Sequence, residues 1–82
     1  MTVEVTVKSG CDSIRAMMDA LGTTFDAYAV CLKKPGEGIF FDYAKEHFPV
    51  HAACPVLSGI IKCMEAECRL ALKKDVSITF ED

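Results

Sequence analysis

Two stretches of strict alternation bracket this chain and constrain its fold more than any other feature. From Thr2 to Lys8, the residues Val3, Val5 and Val7 share one side, and Thr2, Glu4, Thr6 and Lys8 share the other. From Asp75 to Glu81, Val76, Ile78 and Phe80 alternate with Ser77, Thr79 and Glu81. A period of two built from β-branched and aromatic residues describes a half-buried strand. Most of what lies between runs at helical period or reads as turn. The expected architecture is therefore α+β in two layers. A short sheet of the N- and C-terminal strands, 2–8 and 75–81, is covered on one face by three or four helices. A chain of 82 residues holds a single domain, 1–82, with a small core. Two strands make a marginal sheet, and its exposed edge invites a second copy. A homodimer through the sheet edge is the expected partner, unless Glu4, Lys8 and Glu81 blunt that edge.

Three helices are expected with defined ends. Ile14, Met17, Met18 and Leu21 fall at i, i+3, i+4 and i+7, which gives one buried stripe. Asp12-Ser13 supplies the N-cap side chains of this helix, 12–21, and Gly22 its stop. Arg15 and Asp19 are spaced to pair on its exposed side. Phe40, Tyr43, Ala44 and Phe48 line a second helix, 39–48, which Pro49 ends. The longest helix, 55–73, has Pro55 at its first position and carries Leu57, Ile60, Ile61, Met64, Cys68 and Ala71 on one face. Residues 23–35 are ambiguous. Thr24 can cap a short helix from Phe25 to about Lys33, the favoured reading, while Tyr28 to Leu32 also suits a strand. Pro35-Gly36-Glu37-Gly38 is a loop.

Charge and hydropathy exclude several classes. The net charge of −3 argues against nucleic acid, where basic surface supplies most of the affinity. No apolar run approaches the ~18–20 residues that span a bilayer, so no membrane is expected. Met1-Thr2-Val3-Glu4-Val5 alternates and carries an acid early, unlike a signal peptide. The five cysteines are an odd number, which does not suit a secreted disulfide scaffold. Reduced thiols in a cytoplasmic protein are the expectation. Glycine-rich phosphate loops and nucleophile elbows are absent from the sequence.

The cysteines divide by position. Cys68 continues the apolar stripe of the long helix and reads as core, with Cys63 at the edge of the same face. Five residues apart, the two do not stack on a helix, which disfavours a shared site. Cys11 and Cys54 each stand just before a helix, where free N–H groups and the helix dipole stabilise a thiolate. Each is equally readable as a small residue in a tight turn. His51 lies three before Cys54, and imidazole with thiolate is a common zinc donor set. Cys31 completes a three-thiol site only if the chain folds back. The candidate metal ligands are thus Cys11, Cys31, His51 and Cys54, for zinc or an iron–sulfur cluster.

The run His51-Ala52-Ala53-Cys54-Pro55-Val56, then Ser58-Gly59-Ile60-Ile61-Lys62, then Leu70 to Ile78, resembles a family of small uncharacterised proteins from anaerobic bacteria and methanogens. Its members read close to His-Ala-Ala-Cys-Pro-Val-Pro-Ser-Gly-Ile-Ile-Lys, and this chain has Leu57 and Lys73 where they usually have proline. Cys11-Asp12-Ser13-Ile14 fits a further cysteine step of that family. Members typically also carry an N-terminal hairpin with an Ile-Cys-Gly turn, which residues 1–82 do not contain. Gly10-Cys11, Cys31 and Ala53-Cys54-Pro55 are fainter echoes of a small metal-binding domain marked by a Thr-Ser-Cys-Pro-Asp motif.

Three functional classes follow. The leading one is a metal- or cluster-binding domain, an accessory to anaerobic redox metabolism. The second is a thiol-dependent enzyme or sulfur carrier with Cys54 as nucleophile and His51 as base. The third is a protein-interaction module whose cysteines only pack the core. A concave pocket beside Cys54 distinguishes the enzyme from the other two.

Overall fold

Thr2–Glu4 (β1) pairs antiparallel with Thr24–Asp26 (β2) in the computed structural model, which describes residues 1–81. Asp82, the last position of the expected single domain, lies outside them. Four helices complete the fold: Asp12–Leu21 (α1), Ala27–Cys31 (α2), Ile39–His47 (α3) and Pro55–Glu67 (α4). The class is α+β with a short two-stranded sheet, as the patterning implies. The partner of the first strand is not the expected one. Residues 75–81 form no strand and stay exposed, so the pairing of 2–8 with 75–81 is not made.

The reason lies in how soon the chain returns. Helix α1 rises over about 15 Å, and Gly22 then redirects the chain beside β1. Gly22 adopts φ 82° and ψ −165° while its N–H donates to Met18 C=O at 2.9 Å. That left-handed φ favours glycine. Closing this loop costs about 1 kcal/mol less than bringing residue 75 back to residue 2. Phe25, central in β2, is also driven inward. It packs on Phe40 of α3 with ring centroids 5.0 Å apart.

Alternation in β1 describes its faces correctly. Val3, Val5 and Val7 are half-buried against the core, while Thr2, Glu4, Thr6 and Lys8 are exposed. The ladder itself is shorter than 2–8, ending with a bond from Val5 N–H to Thr23 C=O at 2.7 Å. Beneath the sheet, α2 packs on α4 and α1 on α3. Ile14, Met17 and Phe40 are the largest fully buried side chains, and Leu57, Ile60, Met64 and Cys68 extend the core along α4.

Helix ends differ in instructive ways. The ambiguous stretch is divided, with strand 24–26 running directly into helix 27–31. Asp26, not Thr24, caps it by accepting from Tyr28 N–H at 3.2 Å. The Met1 ammonium bonded to Asp26, together with that N–H, holds its carboxyl below the ordinary value. Cys11, not Asp12 or Ser13, is the N-cap of α1, and Arg15 pairs with Asp12 and not with Asp19.

The long helix stops at Glu67, six residues short of Lys73. Arg69 takes φ 59°, Leu70 N–H donates to Glu65 C=O at 2.8 Å, and Arg69 N–H to Ala66 C=O at 3.2 Å. This is a Schellman ending with arginine where glycine is usual. Sequence patterning misses it because no glycine or asparagine marks the stop.

Arg69→Gly is expected to raise stability by about 1 kcal/mol, since the left-handed conformation penalises a side chain. Phe40→Ala is expected to lower it by about 3–5 kcal/mol. Urea denaturation followed by circular dichroism checks both signs.

Candidate functional site

Cys11 is exposed in extended backbone at the start of α1, and its N–H donates to Ser9 Oγ at 3.0 Å. Cys54 is half-buried at the N-cap of α4, also extended, and its side chain makes no capping bond. His51 is exposed in the turn before it. Cys31 closes α2, half-buried, with Sγ 3.8 Å from Ile61 C=O of α4. Cys68 is buried and Cys63 exposed, as their places on the helix face imply. Among the described residues, no three His, Cys, Asp or Glu side chains gather as a metal-ligating group. The fold thus places Cys11, Cys31, His51 and Cys54 without assembling them into one.

The pocket expected beside a nucleophilic Cys54 is also missing from the main clefts. Neither Cys11, His51 nor Cys54 lines any of them. Cys31 does line one, between α2, the 33–37 loop and α4, with Phe41 and Ile61 as apolar walls. The loop is a tight turn in which Glu37 N–H donates to Lys34 C=O at 3.0 Å. Pro35 presets its first corner and Gly36, at φ 85°, its second. The Glu37 carboxylate accepts from Lys34 N–H at 3.0 Å, so it serves the turn. Burial, then the charge of Glu65, then Cys68, push the Cys31 thiol up. A raised pKa keeps it neutral and unreactive, the reverse of an activated nucleophile.

Two other clefts flank α4. One, of about 570 Å³, is lined by Thr2 to Thr6 and by Cys63, Met64 and Glu67. The other lies between α4, from Gly59 to Glu67, and residues Leu72 to Val76. Cys63 and Glu67 border both. Beyond this second cleft the chain carries its most conspicuous apolar surface. Val76, Ile78 and Phe80 are 68%, 72% and 91% exposed, and Leu72 is 81% exposed. Their alternation is legible in the sequence; that they lack a partner is not.

A family model described as "Family of unknown function (DUF6951)" matches residues 1–80. The resemblance to an uncharacterised family stands at that level. No curated protein and no solved structure matches the chain. Among the described residues, no helix is long and apolar enough to cross a membrane.

Iodoacetamide labelling of the folded protein, mapped by mass spectrometry, checks the thiol assignment. Cys11 and Cys63 are expected to react first, Cys31 slowly and Cys68 last. The Cys31 rate is expected to rise only as pH climbs above the usual thiol range. Because its pKa is raised on folding, its stabilising contribution is complete below the unfolded thiol value and is lost as pH passes through the folded one. Cys31 reacting as fast as Cys11 at neutral pH contradicts the assignment.

Proposed function

The chain belongs to the family of unknown function DUF6951, and on that premise we propose that it is a protein-interaction module that donates residues 72–81 as a strand. The observation that carries this reading is the exposure of Val76, Ile78 and Phe80, which alternate along a segment that forms neither helix nor strand. Single exposed apolar residues are ordinary, but a contiguous row of them marks an interaction surface. An alternating, β-branched row is suited to adding a strand to a sheet edge, where backbone bonds give affinity and alternate side chains give specificity. The expected homodimer through a sheet edge is one form of such an association.

The cysteines fit this reading in part. Cys31, Cys54 and Cys68 pack in or against the core, as an interaction module requires. Cys11 and Cys63 are free and exposed, a state suited to a reducing cytoplasm. Zinc or an iron–sulfur cluster on Cys11, Cys31, His51 and Cys54 gains no support from the arrangement of one chain. A thiol reaction at Cys54 gains none from the clefts.

The double substitution Ile78→Asp with Phe80→Ser tests the reading by sedimentation velocity under reducing conditions. The parent chain is expected to associate at micromolar concentration and the variant to sediment as a monomer. Its circular dichroism and melting temperature are expected to match those of the dissociated parent, because these side chains contribute nothing to the core. Identical sedimentation of parent and variant contradicts the proposal.

A further inference from the structure

On the reading that residues 72–81 act as a donor strand, we propose that their acceptor is the free edge of β1 in a second copy, so that two copies exchange strands reciprocally. The register of the sheet identifies that edge. Val5 N–H donates to Thr23 C=O at 2.7 Å, and Ala27 N–H to Met1 C=O at 2.8 Å. In an antiparallel ladder alternate residues turn both backbone groups to the same neighbour. Met1, Val3 and Val5 therefore face β2, while Thr2 and Glu4 turn their N–H and C=O outward. Among the described residues, no other segment hydrogen-bonds to these outward groups.

A groove lies along this edge. Five consecutive residues, Thr2 to Thr6, line it together with Cys63, Met64 and Glu67 of α4, and no residue of β2 does. It therefore opens on the side of β1 away from β2. An incoming strand with Val76, Ile78 and Phe80 turned inward continues the buried face of Val3 and Val5 and meets Met64. Ser77 and Thr79 then continue the exposed face of Thr2, Glu4 and Thr6. Both faces of the enlarged sheet keep their polarity, which is what fixes strand register.

Position, together with the basic pair at the root of the segment, favours a second copy of this chain as the donor. Both charged residues lining the groove, Glu4 and Glu67, are acidic. The donor carries Lys73 and Lys74 at its root and Asp75 and Glu81 further along; the two lysines are exposed and in no ion pair among the described residues. Because Cys63 and Glu67 border both clefts, the donor's root lies on the flank of α4 adjoining the groove. A two-fold axis near Cys63 can thus carry each segment to the other copy's groove, the self-complementary geometry of a closed dimer. Two exchanged strands bury on the order of 1,500 Å² in total, within the range of specific interfaces.

Proline at position 4 tests the acceptor directly. Glu4→Pro removes an outward N–H and leaves the bonds of β1 to β2 intact, a setting in which an edge strand tolerates proline. Sedimentation equilibrium of the reduced full chain is expected to show dimerisation weakened at least about tenfold by Glu4→Pro. Glu4→Ala, which keeps the N–H, is expected to shift it by less than about threefold. Thr2→Pro is expected to act like Glu4→Pro, and replaces it should circular dichroism show that variant unfolded. Ile78→Asp in the same series separates two kinds of failure. Dimerisation abolished by Ile78→Asp but unchanged by both prolines overturns the β1 acceptor and leaves the donor strand standing. Dimerisation indifferent to Ile78→Asp, or a parent chain that is monomeric throughout, overturns both.

Discussion

Pairing of β1 with β2 sets where every other element of this fold can pack. It forms early in the chain, across one short helix, and it carries Phe25 onto Phe40 at the centre of the core. Once β2 occupies one edge of β1, the other edge and its groove against α4 are what remain. The four helices close over the inner face of the sheet without help from residues 72–81. Those residues keep a strand's composition without a strand's partner. A chain of this size has little core to spare, and the apolar side chains it does not bury internally need a surface elsewhere.

Much of the fold is legible in the sequence because it rests on local chemistry. The stripe Ile14, Met17, Met18, Leu21 and the glycine after it define α1 to the residue. Pro55 marks the first position of α4 in the same way. The faces of β1 follow from alternation alone. What the sequence leaves open is which strand pairs with which, since the alternation of Val76, Ile78 and Phe80 states a need for a sheet and not its address. Residues 24–26 are too short to register as a strand, and Thr-Phe-Asp there reads equally as the approach to a helix. The end of α4 is hidden for a different reason. Arg69 occupies a left-handed position that the rest of the Schellman motif imposes and that its own side chain disfavours.

The candidate site was less legible. The sequence correctly places Cys54 at the cap of α4, while at α1 the cap is Cys11 and not Asp12 or Ser13. Spacing along the chain does not reveal whether two caps converge, and among the described residues no ligand group forms around them. Cys31 shows the same limit from the other side. Nothing in its local sequence signals that packing on α4 raises its pKa and keeps it a neutral thiol. The surface that matters most here, an open β1 edge beside α4, depends on the register of one short ladder. Only the three-dimensional pairing exposes Thr2 and Glu4 as its free donors and acceptors.

On the proposed reading, residues 76–80 lack a partner in one chain and acquire one by association. Amide hydrogen exchange of these residues, measured across a dilution series, reads out that change of state. Fast exchange is expected at the lowest concentrations, and protection at Ser77, Ile78 and Thr79 is expected to grow with concentration. Protection at Leu57, Ile60 and Met64 in α4 is expected to stay constant through the same series. Protection of residues 76–80 that is independent of concentration contradicts the claim, because it places their partner within the same chain. So does free exchange at every concentration, which leaves the segment with no partner at all.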